Sequence, residues 1–270
     1  MKKTKVSIVT PSYNQGEFIQ DTLQSVLAQV DGSFELEYII LDSVSMDDTK
    51  LIIEKYLPKL RRAGVGVTFI SKKDKGQTNA INNGLSLATG QLYTYLNSDD
   101  FYEPDVLRKV VKYFEQNSQI QWAFGGWNYV NRVGKIYSVI QPSLFSYNKL
   151  LDYCTIGQPS CFFRSTVYQE VGPFDESLQL GMDYEYWLRL SQHYPAGVIP
   201  EVISNMRYYG GTKSASKASQ HLVEAYKLAT RYTAPLSFKR LVQFFFFLRG
   251  YAVILLGIDI TRRIERKEIT

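Results

Sequence analysis

Cysteine is scarce in this sequence, which contains only Cys154 and Cys161. The two residues form no CxxC motif, and two thiols cannot build a disulfide framework or a cysteine-rich zinc site. Their scarcity argues against the small disulfide-stapled folds and favours a chain that works in a reducing compartment. We therefore expect a cytoplasmic protein in which both thiols fill apolar space.

Glycine-rich phosphate loops and a signal peptide are also missing. Neither a Walker lysine loop nor a GxGxxG motif follows the first apolar run, so the phosphate cradles of P-loop and dinucleotide-binding folds are not expected. The basic start, residues 1–5, precedes an apolar run that ends at residue 11, which is too short for a signal peptide. Phosphate would have to be neutralised by side chains and a metal ion.

Aromatic residues, by contrast, are abundant. The 270 residues include 20 Tyr and 15 Phe, which is more than a plain core requires. Tyrosine in particular suits sugar faces, base stacking and membrane interfaces. The apolar and charged fractions are ordinary for a globular protein, and the length suffices for one substantial core.

Strand and helix patterns alternate along the first part of the chain. Each apolar run is followed by a segment with helical spacing, a succession that predicts an α/β fold with a mostly parallel, doubly wound sheet. The predicted strands span residues 6–10, 37–41, 65–70 and 92–96. The predicted helices span residues 18–27, 45–60 with the cap included, 77–87 and 105–114.

The fourth predicted strand ends in two adjacent acids, Asp99 and Asp100. Adjacent carboxylates repel each other, and a divalent cation that also holds phosphate oxygens is a common solution. The alternative is a solvated turn before the next helix. Tyr13 and Asp42 follow the first two strands, at the edge where such sheets bind ligands, and this coincidence favours a binding site.

The pattern changes near residue 118 to irregular, aromatic-rich strands, without a flexible linker. We expect a division within one fold, into residues 1–117 and 118–235, followed by an apolar and basic helical tail, residues 236–270. Further strands are predicted over residues 121–127, 135–140 and 161–164, and a helix that begins near Gly181 carries Asp183 in its first turn.

Five ordered motifs resemble those of the inverting family 2 glycosyltransferases of the GT-A fold. Each motif is weak alone, but their order up to about residue 215 is specific. They are Val9–Asn14, Asp42–Thr49, Asp74–Gln77, Asn97–Asp100 at the place of the family's DxD region, and Met182–Trp187 at the place of its acidic acceptor motif. The resemblance implies sugar transfer from a nucleoside diphosphate sugar to a hydroxyl of a glycan or lipid-linked acceptor.

The resemblance also implies residue roles. Asp183 would be the general base that takes the proton of the acceptor hydroxyl. Asp99 and Asp100 would hold Mg²⁺ or Mn²⁺ against the diphosphate. The nucleotide sugar would contact Pro11, Ser12, Tyr13, Asp42, Asp74, Lys75, Gln77, Asn97, Ser98, Asp99 and Arg207. Residues 1–117 would form the nucleotide-sugar-binding half and residues 118–235 the acceptor-binding half.

The chain departs from the family pattern at several positions. Some relatives carry an Arg and a His on a loop near the diphosphate. Here Arg207 fits this pattern, whereas Tyr209 or Gly210 replaces the histidine. Arg207 and Lys213 are expected to clamp phosphate.

Ser43 and Val44 stand where relatives often carry an acid or glycine, and Asn97 stands where aspartate is common. A non-catalytic GT-A-like module that binds a nucleotide sugar is therefore an alternative. A nucleotidyltransferase, which also combines an α/β sheet with a metal, ranks last because no basic glycine-rich triphosphate loop follows the first strand.

The most apolar stretch, residues 241–258, carries Arg249 at its middle. A central Arg costs roughly 2.5–3.5 kcal/mol on insertion scales, which argues against a membrane-spanning helix. Basic residues within 239–267 instead predict an interfacial helix or helix pair on an anionic membrane surface, and they favour this partner over nucleic acid. The alternative is a helix that packs on the catalytic domain or in a dimer. We thus expect a peripheral position on the inner face of the cell membrane.

Overall fold

The computed structural model describes residues 3–256. The strands are β1 Lys5–Ser12, β2 Glu35–Asp42, β3 Gly66–Ser71, β4 Leu92–Tyr95, β5 Phe101–Tyr102, β6 Trp122–Val130, β7 Ile136–Ile140, β8 Cys161–Arg164 and β9 Gly197–Arg207. The helices are α1 Ile19–Leu27, α2 Thr49–Arg62, α3 Gln77–Leu87, α4 Val106–Gln116, α5 Tyr147–Leu150, α6 Ser165–Val171, α7 Met182–His193, α8 Lys213–Ser216, α9 Ala218–Arg231 and α10 Phe238–Leu255.

All of these strands join one sheet in the order β3-β2-β1-β4-β8-β6-β9-β5, with β7 paired to β6. The first four strands in this order, β3, β2, β1 and β4, run parallel. β8 is antiparallel to β4 and β6, and β9 then runs parallel to β6. The sheet is therefore continuous across the boundary that we expected near residue 118, and the predicted α/β architecture is confirmed.

Side chains that alternate along the central strands build a core on each face of the sheet. Val6 and Ile8 of β1 pack with α1, α2 and α4, whereas Val9 packs with α3 and α7 on the opposite face. Period-two alternation in a strand covered by helices on both sides gives this arrangement. In the second core, the rings of Trp122 from β6 and Trp187 from α7 stack 5.8 Å apart. The two faces thus hold β1 and β4 rigidly beneath the loops that follow them.

The structure contains elements that sequence patterning did not indicate, among them β5, β9 and α9. β5 has two residues, too few for a periodic signal. β9 includes Pro200 and buries the polar residues Ser204 and Asn205, so its hydrophobic alternation is broken. These elements matter because β9 ends at Arg207, which reaches the site described below.

In the described part of the apolar tail, residues 236–256, the helix is α10, which packs along α9. Within residues 3–256, every helix falls short of the length and apolar character that crossing a bilayer requires. Residues 257–267 of the segment predicted to meet a membrane lie outside the described residues.

The close packing of α3 on β1 gives a test of the fold. A methyl group added at Gly84 would lie 2.4 Å from Val9 Cγ1. Alanine is the better helix former by about 1 kcal/mol, but overpacking costs more. We expect Gly84→Ala to lower the free energy of unfolding by about 1–3 kcal/mol in urea denaturation. Asn83→Ala, on the exposed face of α3, should stay within about 0.5 kcal/mol of wild type, and equal stabilities of the two variants would contradict this packing.

Candidate active site

A cavity of about 1590 Å³ opens at the carboxyl ends of β1, β2 and β4 and extends to α9 and α10. Pockets for drug-sized ligands measure roughly 300–1,000 Å³, so this cavity has room for two substrates. The predicted site residues that line it are Pro11, Ser12, Tyr13, Asp74, Gln77, Asn97, Ser98, Asp99, Asp100, Asp183 and Arg207. Asp42 and Lys75 are not among its lining residues.

The loops after β1 and β2 are joined by hydrogen bonds at the mouth of the cavity. The backbone N–H of Asn14 donates to Ser45 Oγ at 2.8 Å, and that of Gly16 donates to Asp47 Oδ2 at 2.8 Å. These bonds leave the ring of Tyr13 half exposed at the rim, where it can meet a flat ligand.

Asp42 is buried beneath this pair of loops. Its carboxylate accepts hydrogen bonds from Ser45 N and Oγ, at 3.1 and 2.5 Å, and from Ser71 Oγ at 2.7 Å. The next two residues, Ser43 and Val44, line the cavity instead. The predicted contact of Asp42 with the nucleotide stays a prediction, and the observed bonds give its carboxylate a supporting role in the turn.

Val44 has a left-handed backbone conformation, with φ at 56°. A β-branched residue is strained in this region, where glycine is favoured. Val44, which stands where relatives often carry glycine, therefore adopts the backbone conformation of a glycine turn at a cost in strain. Its side chain forms part of the cavity wall.

Arg207 fastens the loop that carries the two adjacent acids. Its backbone N–H donates to Asp100 Oδ1 at 2.8 Å, and its Nε donates to the carbonyl oxygen of Asp99 at 2.9 Å. A further guanidinium nitrogen pairs with Asp21 Oδ2 at 2.8 Å, and the side chain is 1% exposed. The phosphate contact predicted for Arg207 stays a prediction, since the observed N–H donors of Arg207 bond to acceptors within the protein.

Asp99 and Asp100 differ in their partners. Asp100 is held by Arg207 and by Asn97 Nδ2 at 3.3 Å, whereas the Asp99 carboxylate receives no hydrogen bond from another residue in the described part of the chain. Burial raises the pKa of both carboxyl groups, and for Asp100 the charge of Asp99 adds to this effect. Asp99 is therefore the acid that is free to bind a ligand in the cavity.

A divalent cation bound to a diphosphate fits this donor set. Mg²⁺ is usually held by one or two carboxylates together with substrate phosphates and water, and Asp99 can supply such a carboxylate. Ser12 Oγ is buried beside the cavity without a hydrogen-bond partner among the described residues, so it can donate to the same ligand. Residues 3–256 hold no group of three His, Cys, Asp or Glu residues that could bind a metal by themselves. The diphosphate would have to complete the coordination.

A chain of side-chain amides supports the acid loop from α3. Gln77 Nε2 donates to Asn97 Oδ1 at 2.8 Å, and Asn97 Nδ2 donates to Gln158 Oε1 at 3.0 Å. Gln158 in turn donates to the carbonyl oxygen of Tyr95 at 2.7 Å. Sequence analysis missed Gln158, because its position beside the loop depends on the antiparallel return of β8.

Asp183 lies in the first turn of α7, where its Oδ1 accepts a hydrogen bond from the N–H of Tyr184 at 2.8 Å. Burial raises the pKa of its carboxyl group, the nearby imidazole of His221 opposes this rise, and the carboxylate of Glu224 adds to it. A carboxylate with a raised pKa is a better proton acceptor near neutral pH.

Glu224 also fixes the start of α7. Its Oε1 accepts hydrogen bonds from the N–H groups of Leu180 and Gly181, at 2.9 and 2.8 Å. A carboxylate at a helix N-terminus stabilises the otherwise unpaired N–H groups. Glu224 thus fixes the helix that carries Asp183, and Glu224 and His221, both on α9, act on the pKa of Asp183. Neither residue had a sequence signal, since α9 itself was not predicted.

The model of the family described as glycosyl transferase family 2 matches residues 7–168. The chain belongs to glycosyl transferase family 2. The prediction of the family is thereby confirmed, and the match includes the loops that carry Tyr13, Asp42 and Asp99.

Several relatives are similar to most of the chain. It is 28% identical over 236 residues to chondroitin synthase of Escherichia coli, covering 87% of this chain and 33% of that protein. An uncharacterized glycosyltransferase of Methanocaldococcus jannaschii is 26% identical, with 86% and 81% covered. The E. coli UDP-Glc:alpha-D-GlcNAc-diphosphoundecaprenol beta-1,3-glucosyltransferase WfgD is 27% identical over 185 residues, with 68% and 69% covered. The chain spans about a third of the length of chondroitin synthase and of a Rickettsia bellii relative.

Solved structures share the fold at lower sequence identity. Staphylococcus aureus TarS 1–349 in complex with UDP-GlcNAc superposes with a TM-score of 0.68 at 18% identity, covering 96% of this chain and 77% of that one. A mannosyltransferase of Pyrobaculum calidifontis, in complex with GDP-Man and Mn²⁺, gives 0.65 at 17% identity, with 96% and 76% covered. The predicted GT-A fold is confirmed by these likenesses.

Among the described residues, three further cations line the cavity of this family 2 chain, and one of them, Lys213, is expected from the sequence to clamp phosphate with Arg207. They are Lys73 before the third helix, Lys213 on α8 and Arg249 on α10. Burial lowers the pKa of Lys213, and the carboxylates of Glu224 and Asp183 oppose this effect. The cavity therefore offers positive charge on the sheet side and on the helical side.

Proposed function

We propose that the chain is an inverting glycosyltransferase that moves a sugar from a nucleoside diphosphate sugar to a hydroxyl of a glycan or lipid-linked saccharide, with Asp183 as the general base. The observation that carries this proposal is that one cavity is lined both by Asp99, whose carboxylate is free, and by Asp183, whose pKa is raised. A peripheral position on the inner face of the cell membrane is part of the proposal.

The sheet side of the cavity would bind the donor. Tyr13 at the rim offers a ring face to the base, and Ser12 Oγ offers an unused donor. Asp99 would hold Mg²⁺ or Mn²⁺ against the diphosphate, and Asp100 would keep the loop in place through Arg207. When bound, the cation neutralises the charge that grows on the departing diphosphate.

The helical side would bind the acceptor. As the acceptor oxygen attacks the anomeric carbon, its proton passes to the Asp183 carboxylate, while the bond from the sugar to the diphosphate breaks. A single displacement needs no enzyme nucleophile and inverts the anomeric centre. The acceptor oxygen must lie within hydrogen-bond reach of Asp183, on the face of the sugar opposite the diphosphate.

The relatives support this assignment. Structural neighbours were solved with UDP, UDP-GlcNAc and GDP-Man, all nucleoside diphosphates or their sugars. The printed name of WfgD gives UDP-Glc as donor and a diphosphoundecaprenol-linked saccharide as acceptor. We extend to this chain the donor class and, as an option, the lipid-linked acceptor class.

The donor site can be tested by calorimetric titration with UDP, GDP and dTDP, each with and without Mn²⁺. We expect one diphosphate to bind more tightly with Mn²⁺. Asp99→Ala should abolish this gain, because its carboxylate is the cation ligand. Glu54→Ala, which removes an exposed acid of α2, should bind like wild type. Undiminished Mn²⁺-dependent binding by Asp99→Ala would overturn the cation assignment.

The base assignment predicts a separate effect on transfer. Asp183→Asn should lower the transfer rate by about 10²–10⁴-fold, the usual contribution of a general base, while diphosphate binding stays unchanged. Asp175→Asn, on the loop before α7, is the matched control. Full transfer activity in Asp183→Asn would exclude its role as base.

Two results would favour the alternative functions. Nucleotide binding without transfer in the wild type would favour the non-catalytic module, and pyrophosphate release from a nucleoside triphosphate would identify a nucleotidyltransferase.

The pH dependence tests how α9 acts on the base. Asp183 must be deprotonated to accept a proton, so its raised pKa predicts that kcat/KM falls on the acid side at a higher pH than an ordinary aspartate would give. The charged groups acting on it are Glu224 and His221 from α9 and Lys213 from α8. Glu224→Gln removes the negative charge that raises this pKa, so the acid limb should move to lower pH. An unmoved limb would contradict the coupling.

A further inference from the structure

Helix α10 presents apolar side chains on two sides. One side faces the catalytic cavity, and its residues there include Gln243, Phe246, Phe247, Gly250 and Ile254, spaced at i, i+3, i+4, i+7 and i+11. This spacing keeps all five on one side of the helix. The acceptor end of the cavity is therefore walled by a mainly apolar helix face, with Gln243 as its polar member.

The opposite side of α10 is exposed to solvent. Leu241, Phe245, Leu248, Ala252 and Leu255, spaced at i, i+4, i+7, i+11 and i+14, form what we call the outer stripe. Leu241 and Phe245 are 66% and 64% exposed. Just before the helix Leu236 is fully exposed, and Phe238, the first residue of α10, is 79% exposed. These two side chains extend the exposed apolar surface beyond the N-terminal end of the outer stripe. Water is an unfavourable environment for such a continuous apolar surface.

The outer stripe is held outward by firm anchoring of the inner side. Gln243 is buried, and its Nε2 donates to the carbonyl oxygen of Leu151 at 2.8 Å. Phe247 packs on Tyr226 of α9, with ring centroids 4.8 Å apart. Rotating the helix to bury the stripe would break these contacts and expose Phe247. The stripe is thus a fixed feature of the fold.

Charge favours an anionic bilayer over a second copy of the chain. Of the three cations of α10, Lys239 pairs with Asp152 and Arg240 donates to the carbonyl oxygen of Thr230, whereas Arg249 is exposed. α10 itself has no acidic residue, so its exposed surface is cationic. Two such surfaces face to face would repel each other, whereas anionic headgroups attract them. The exposed Arg249 lies along the border between stripe and cavity, from where its long side chain can reach headgroups.

We propose that α10 lies in the surface of an anionic bilayer by its outer stripe, so that the acceptor end of the cavity opens at the membrane and takes a saccharide linked through phosphate to a hydrocarbon chain. The inner side of α10 would contact the hydrocarbon chain of this acceptor, and Arg249 would bind the acceptor's phosphate. The acceptor part of this inference rests on the proposed function, and the docking part does not.

Vesicle binding tests the docking. The full chain is sedimented with vesicles of phosphatidylcholine containing one quarter phosphatidylglycerol. We expect wild type to bind, and Leu241→Glu/Leu248→Glu to bind at least about tenfold more weakly, because two stripe side chains become charged. Val133→Glu/Leu144→Glu adds the same charge at exposed loop residues outside the cavity and should bind nearly as well as wild type. Circular dichroism melting verifies that each variant is folded.

Two outcomes would overturn the docking. Equal binding by the stripe variant would show that another surface meets the vesicle. Absence of wild-type binding, together with a dimer in sedimentation velocity that the stripe variant converts to monomer, would assign the stripe to contact between two copies.

Acceptor choice tests the remaining part. One saccharide that the enzyme accepts is prepared in two forms. One form carries a methyl aglycone and is used in solution, and the other carries a dodecyl phosphate aglycone and is placed in the same vesicles. We expect wild type to favour the vesicle-borne form by tenfold or more in kcat/KM. The stripe variant should lose this preference and keep the wild-type rate on the methyl form. No preference in wild type would overturn the lipid-linked class, whereas no transfer to any acceptor, with vesicle binding intact, would contradict the proposed function alone.

Discussion

Repulsion between Asp99 and Asp100, side by side at the carboxyl end of β4, is the constraint on which the site depends. Arg207 stabilises this pair, because its backbone N–H donates to the Asp100 carboxylate and its guanidinium donates to the backbone carbonyl of Asp99. Arg207 is the last residue of β9, so the sheet must run unbroken from β4 through β8 and β6 to β9. One acid is thereby held by the protein and the other left for a ligand. Strands from both sides of residue 118 therefore meet at this point in one sheet.

Asp183, the base of our proposal, is positioned in a similar way, by a helix in place of a strand. Glu224 holds the first N–H groups of α7 and so fixes Asp183, while its own charge helps to raise the pKa of that residue. α9 carries Glu224 on one side and packs against α10 on another. The base and the membrane-docking helix of our proposal are thus linked through one element.

Elements marked by hydrophobic spacing or by a local motif could be predicted from the sequence. Features that depend on contacts between residues far apart in the chain could not. The alternation of strands and helices up to α4 follows from hydrophobic spacing, and the motif loops place Tyr13, Asp99 and Asp183 in one cavity as expected. The burial of Asp42 could not be foreseen, because Ser71, which holds it, lies on a different strand. Gln158 had no signal either, because it reaches Asn97 only through the fold.

The energetic cost of the site is itself an argument against a module that only binds. Burial of Asp99 and Asp183 opposes their ionised forms, and Val44 adds backbone strain at the mouth of the cavity. Donor binding alone would give a use to Asp99 and to the turn at Val44. It would give none to Asp183 on α7, a helix whose start is fixed by two hydrogen bonds from the N–H groups of Leu180 and Gly181 to Glu224. Proton transfer from an acceptor hydroxyl is the chemistry that a fixed carboxylate of raised pKa performs well. The arrangement around Asp183 therefore favours catalysis over binding alone.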